Sequence, residues 1–278
     1  MSVPSRRDLV GLLEGAQAVV ARAADTLVTM QFGGLRPQRK ELLDIVTEAD
    51  LAAEKIVIDG LQALAPGVAI LAEESGATGK QDGPRWIIDP LDGTINYASG
   101  LPFYSVTVAY EAEGAVRVGV VNAPGMGIVA SYAEGAAATV NGVPVRVREV
   151  RSLSNAVVSV CLTSNFSRDE VAVTAAIIER LGTVARGVRL VVSSALEMCL
   201  VATGRIDGFV SIKADVVSYA AGLALVRAAG GRVTNLRGAD SSVDDLEKIS
   251  SNGWIHEELL RHVNEASDRH GPAESAAR

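Results

Sequence analysis

The chain has 278 residues, 48% of them hydrophobic, and a formal net charge of −7. That length can bury a core for one large domain or two tightly joined halves. The acidic balance argues against a nucleic-acid partner or a membrane surface, and it offers no long-range steering toward phosphate.

Aromatic residues make up only 4% of the chain, so the core must be mostly Val, Ala, Leu and Ile. The three histidines, His256, His262 and His270, all lie near the C-terminus. A Ser-His-Asp or Cys-His mechanism therefore lacks its base over most of the chain, and catalysis would fall to carboxylates, hydroxyls and metal ions. Cys161 and Cys199 sit in apolar runs with no CxxC spacing, and read as buried thiols in a reducing compartment. The start has no long apolar signal segment, and no uncharged apolar stretch reaches membrane-spanning length. A soluble, cytoplasmic protein is expected.

In chain order, residues 5–32 place Leu9, Leu12, Leu13, Ala16, Val19, Val20 and Ala23 near a 3.6 period, predicting a helix ended by Gly33-Gly34. Residues 36–41 are polar and include Arg39 and Lys40. Thr47 and Asp50 have capping-box spacing and open a second helix that Pro66-Gly67 stops. Residues 68–71 predict a short strand leading into Glu73-Glu74. Trp86 to Ile88 predicts a buried strand, broken by Pro90 and Gly93. Strands follow over 105–111, 116–122 and 127–132, then strand material over 137–147 around an Asn141-Gly142 turn. Beyond it strands at 157–162, 188–192, 208–212 and 232–235 alternate with helices at 169–181, 196–203, 219–229 and 254–264. Residues 266–278 are small and polar and predict a disordered tail. The alternation predicts an α/β fold in which helices sandwich mixed sheets.

The most informative stretch is Trp86-Ile87-Ile88-Asp89-Pro90-Leu91-Asp92-Gly93-Thr94. It presents Asp89 and Asp92 at a strand end, where α/β proteins place their chemistry. Two close carboxylates repel unless a cation stands between them, and Mg²⁺ prefers such oxygens. The Gly93 and Thr94 amides suit an anion. Together these features suggest phosphate chemistry. An isolated D-x-x-D-G-T also fits a turn that merely caps a helix. Here three other segments, Asp44 to Asp50, Glu73-Glu74 and Asp215 to Ser218, also carry acidic or hydroxyl groups at element ends.

The order and wording of these segments resemble the inositol monophosphatase family of Mg²⁺-dependent, lithium-sensitive sugar phosphatases, from about residue 5 to 265. The run from Trp86 to Tyr97 is close to that family's first signature. Ile45 to Asp50, Leu71 to Ser75 and Met198 to Gly204 match further elements, and Ala220-Ala221-Gly222 with Ala229-Gly230-Gly231 resembles the second signature.

The resemblance implies alternating helix-sheet-helix-sheet-helix layers. One phosphatase domain would span residues 1–265, with an α+β half to about 150 and an α/β half from 151. It implies two or three Mg²⁺ per subunit, a small phosphorylated substrate and a homodimer. Glu73 and Asp89, with the Leu91 carbonyl, would hold one Mg²⁺, and Asp89 and Asp92 the second. Asp50 and Thr94 would orient the attacking water, and the Gly93 and Thr94 amides would hold phosphate oxygens. Ser193 and Ser194 fall where family members contact the sugar, and they also suit a helix cap. Glu74 and Asp44 read equally as solvated or supporting carboxylates. Arg39 and Lys40 fall where the family has a basic residue on a loop near the site, but a charged loop is usually only a charged loop.

Two positions depart from the family pattern. Ser218 stands where W-D-x-A-A-G has its metal-binding aspartate, and Ser211 stands near a glutamate that contacts inositol in some members. Asp215, three residues before Ser218, either reaches the vacated place or is an ordinary loop residue. The serine also supports an alternative, a catalytically weakened relative that binds a phosphorylated ligand or a protein partner.

Overall fold

A computed structural model of the chain describes residues 5–31, 38–39, 45–80 and 82–268. Lys40, Asp44 and the Arg39 side chain lie outside the described residues, as do residues 269–278.

Helices α1 (Arg6–Gln31) and α2 (Glu48–Leu64) flank a ladder of β1 (Gln38–Arg39) and β2 (Ile45–Val46). Strands β3 (Ala69–Ala72), β4 (Gly76–Thr78) and β5 (Arg85–Asp92) follow, then the short helix α3 (Thr94–Ala98). Strands β6 (Ser105–Ala112), β7 (Ala115–Ala123) and β8 (Ile128–Ala133) form a meander, closed by β9 (Thr139–Val140) and β10 (Val143–Pro144). The rest alternates β11 (Val157–Val160), α4 (Arg168–Val184), β12 (Gly187–Arg189), α5 (Ser194–Ala202), β13 (Gly208–Ser211), α6 (Val216–Ala228), β14 (Arg232–Thr234), β15 (Lys248–Ser251) and α7 (His256–Ser267).

An eight-stranded sheet has the order β10-β9-β8-β7-β6-β5-β3-β4, antiparallel except for the β3–β5 pair. A five-stranded sheet has the order β12-β11-β13-β15-β14, parallel across its first three strands. Leu9, Ala16, Val20 and Leu27 of α1 pack with Val57 and Leu61 of α2 on one face of the larger sheet. The apolar α5 and α6 fill the space between the two sheets, with Met198, Cys199, Ala221 and Leu225 in one core. Ile177 and Leu181 of α4 join Leu259 and Val263 of α7 on the outer face of the smaller sheet. These are the five expected layers. Helices α5 and α6 are buried nearly all round, which suits their central layer.

Three local expectations need correction. Strand β5 continues through Pro90 to Asp92, because Pro90 sits where the register with β6 shifts and a missing N–H is tolerated. Helix α7 reaches Ser267, so residues 266 and 267 are not tail: Ala266 is buried and the Ser267 hydroxyl bonds to Val263 O. The strand expected over 188–192 ends at Arg189, and Val192 has a left-handed φ of 59°.

Candidate active site

The site forms where strand ends and helix starts from distant parts of the chain meet. Strand β5 carries Asp89 and Asp92 to the edge of the larger sheet, and Gly93 then turns the chain into α3 with φ 91°. A Cβ at Gly93 would stand 2.7 Å from Phe103 O and 3.2 Å from Ser193 Cβ, so this turn requires glycine.

Thr47 caps α2 as its spacing predicts. Its hydroxyl accepts from Ala49 N, and Asp50 accepts from Thr47 N at 2.7 Å and Thr47 Oγ1 at 2.6 Å. The other Asp50 oxygen accepts from Thr94 Oγ1 at 3.1 Å, which ties α2 to α3. Thr94 Oγ1 also stands 3.0 Å from Leu91 O. Burial pushes the Asp50 carboxyl above the ordinary aspartate value.

Asp92 is held by four donors. Ser193 Oγ lies at 2.7 Å, Ser194 N and Ala195 N at 3.0 Å each, and Ser105 Oγ at 3.2 Å. Ser193 is the N-cap of α5 but makes no side-chain cap bond. The cap is Asp92 itself, about a hundred residues away in sequence, meeting the first amides of the helix. Burial raises the Asp92 carboxyl to about 6, against the lowering effect of these donors.

Asp89 is 1% exposed. Its Oδ1 accepts from Leu91 N at 3.0 Å and its Oδ2 from Ser218 Oγ at 2.8 Å. Burial, and then the neighbouring charges of Glu73, Asp92 and Asp215, push its carboxyl well up. Asp215 caps α6, accepting from Ser218 N at 2.7 Å, and its Oδ2 lies 3.1 Å from Ser218 Oγ. The Ser218 hydroxyl has one proton and two carboxylates to give it to.

An open cleft collects most of these groups but not Asp50, which is fully buried and does not line it. Glu73, Asp89, Leu91, Asp92, Gly93 and Thr94 line it, together with Ser194, Asp215 and Ser218. Among its described lining residues are four carboxylates and no Lys, Arg or His. Among the described residues no three His, Cys, Asp or Glu side chains are grouped so as to hold a metal ion, and Asp89 and Asp215 share the Ser218 hydroxyl. The donor chemistry fits a hard cation all the same, because the lining is rich in carboxylate oxygen and holds no protein cation to offset it.

Ser193 is buried behind Asp92, and Ser211 is buried with its hydroxyl on Lys213 O. Neither lines the cleft. Thr163, Ser164, Asn165 and Val192 do line it and were not anticipated. Nor was the role of Glu54, which accepts from Glu74 N at 2.9 Å and so fixes the turn carrying Glu73-Glu74. Glu197 was also missed. It is a fully buried glutamate that burial pushes up to about 8, and its signal was a lone carboxylate inside the apolar run of α5.

Comparison with known proteins bears on the fold and the family. The model of the "Inositol monophosphatase family" matches residues 8–268. A Thermotoga maritima protein named "Fructose-1,6-bisphosphatase/inositol-1-monophosphatase" is 40% identical over 82% of this chain and 86% of its own length. An Escherichia coli relative named "Nus factor SuhB" is 31% identical over 89% of this chain and 94% of its own. The solved structure of a Thermotoga maritima IMPase superposes with a TM-score of 0.85 at 34% identity, covering 93% of this chain and 99% of that one. From its layered fold, its acidic cleft and these matches, the chain belongs to the inositol monophosphatase family.

Proposed function

We propose that this chain is a Mg²⁺-dependent phosphatase acting on a small phosphorylated sugar, polyol or nucleotide. The observation that carries the reading is the cleft's charge: four carboxylates beside an amide cradle, with no basic lining residue among those described. A phosphate dianion gains nothing by entering such a cleft unless cations accompany it.

Glu73, Asp89, the Leu91 carbonyl and Asp92 would hold the cations, two or three in number, with Asp215 in place of the aspartate that Ser218 replaces. Bound Mg²⁺ supplies charge neutralisation for phosphate and makes a bound water more acidic. The chain's own part is positional. The Gly93 and Thr94 amides at the start of α3 hold phosphate oxygens. Thr94 Oγ1 orients the water and passes a proton to Asp50 Oδ1, 3.1 Å away. The raised Asp50 carboxyl accepts that proton more readily than an exposed aspartate does. Glu73 shares in catalysis beside Asp89, whose carboxyl its charge raises.

We further propose that residues 1–265 act as one domain in a cytoplasmic homodimer, with a small phosphorylated molecule rather than nucleic acid or membrane as its partner. Among the described residues no helix is long and apolar enough to cross a membrane.

The test is phosphate release from inositol 1-phosphate, fructose 1,6-bisphosphate, histidinol phosphate and a 3′-phosphoadenosine nucleotide, with Mg²⁺ and with EDTA. Release that EDTA abolishes supports the reading. No release from any substrate, or release indifferent to EDTA, removes it. Ser218 and the "Nus factor SuhB" names of some relatives favour a second reading, a weakened enzyme that serves as a binding module. That reading predicts tight ligand or partner binding without turnover.

A further inference from the structure

Val192 lines the cleft with a φ of 59°. Among the described residues only Glu113, Asn141 and Val192 are non-glycine residues with positive φ, and Val192 is the β-branched one. This backbone state disfavours a non-glycine residue by a factor of about 5 to 30 in population, so something must hold it there. Strain of this kind gathers at working sites when the surroundings enforce it.

The enforcement is visible on both flanks. Asn96 Nδ2, from the first turn of α3, donates to Val191 O at 2.8 Å, Val192 O at 3.2 Å and Phe103 O at 2.9 Å. Glu197, from α5, accepts from Val191 N at 3.4 Å on one oxygen and from Ser193 N at 3.3 Å on the other. Its carboxyl therefore straddles Val192 and is anchored in turn by the Ser159 hydroxyl, which also bonds to Arg189 O at 3.1 Å. Immediately after the strained residue come Ser193 Oγ, Ser194 N and Ala195 N, three of the four donors that hold Asp92.

We propose that Asn96 and Glu197 are positioning residues that clamp Val192 in its left-handed conformation and so aim the Ser193, Ser194 and Ala195 donors at Asp92. Relaxed to an extended conformation, Val192 would swing the start of α5 away from β5. Neither side chain lines the cleft, so each acts through the turn. The clamp is a property of the fold. Only its consequence for turnover rests on the phosphatase reading.

The test is a double-mutant cycle of Asn96→Ala with Val192→Gly in the full chain, read by amide hydrogen exchange at Ser194 and Ala195. Glycine adopts positive φ freely and so does not need the clamp. Asn96→Ala alone should speed exchange at both amides about five- to thirty-fold, the population factor that the clamp restrains. In the Val192→Gly background the same substitution should change exchange less than about twofold, well below that factor. Glu197→Ala, paired with Val192→Gly, cuts the other flank and should show the same pattern, so the proposal stays testable if one variant does not fold. Equal effects in the two backgrounds, or no effect of either alanine, overturn it. Phosphate release from inositol 1-phosphate and fructose 1,6-bisphosphate is measured alongside, and kcat should fall and recover with amide protection. If exchange follows the cycle while no form releases phosphate, the clamp stands and the phosphatase reading fails.

Discussion

Ser218→Asp adds a carboxylate to the cleft, and its effect on stability should reverse with Mg²⁺. In the structure Ser218 Oγ lies 2.8 Å from Asp89 Oδ2 and 3.1 Å from Asp215 Oδ2. The substitution removes a hydroxyl bond to a charged acceptor, worth about 2 kcal/mol. It also puts a third carboxylate within about 4 Å of two others, a repulsion of roughly 4 kcal/mol per pair at an effective dielectric near 20. Proton uptake caps that repulsion, because holding one extra carboxyl proton at pH 7 costs about 4 kcal/mol, from about three pH units. The sum is an upper bound of about 6 kcal/mol, and solvent screening on the exposed Asp215 side lowers it to about 3 kcal/mol. Urea unfolding in EDTA should therefore show Ser218→Asp less stable than the parent by about 3–6 kcal/mol. Saturating Mg²⁺ should recover most of the loss and stabilise the variant more than the parent, since binding to the folded state alone adds stability. Equal stability of the two forms in EDTA, or an equal gain from Mg²⁺, would refute the reasoning.

Gly93→Ala should lose about 2–5 kcal/mol of stability, from its positive φ and from the clash with Phe103 O and Ser193 Cβ. Phosphate release should fall with it; a variant within about 0.5 kcal/mol of the parent would contradict the close approach drawn here. Thr94→Val keeps the shape but removes the hydroxyl that joins Asp50 to Leu91, and should lower kcat about a hundredfold in a phosphate-release assay. His256 is fully buried between Thr234 and Ser251, and burial lowers it to about 4 from an ordinary 6.5. Below pH 6.5 the unfolded chain takes up a proton that the folded one refuses. Stability should thus fall as pH drops from 6.5 toward 4, by at most about 3 kcal/mol. Urea titrations across that range should show a shallower slope for His256→Gln, and parallel slopes would remove the assignment.

Much of the layered fold was legible because its signals are local. The apolar stripe of α1, the Thr47–Asp50 cap and the asparagine-glycine turn at residue 141 each depend on neighbours in sequence. Strand β15 was missed because Lys248, fully buried with its ammonium on the carbonyls of Ser242 and Asp245, reads in sequence as a surface residue. The acidic half of the cleft was also legible, since Asp89, Asp92, Gly93 and Thr94 lie within six residues. What holds Asp92 was not. Its donors and the clamp behind them come from α3, β6 and the start of α5, and only folding brings them together. Ser193 and Ser194 read as a helix cap or a sugar contact; Ser193 is the N-cap of α5, but the carboxylate that meets the helix amides is Asp92 of β5. The serine at 218 was legible as a departure, but its bridge between Asp89 and Asp215 required coordinates.

The central claim is that these carboxylates exist to hold magnesium. Calorimetric titration of the EDTA-stripped protein with Mg²⁺, beside an Asp89→Asn/Asp92→Asn double variant of matched fold, tests it most directly. Saturable binding by the parent that the double variant loses is the predicted result. No binding by the parent, or binding that survives in the variant, would contradict the account.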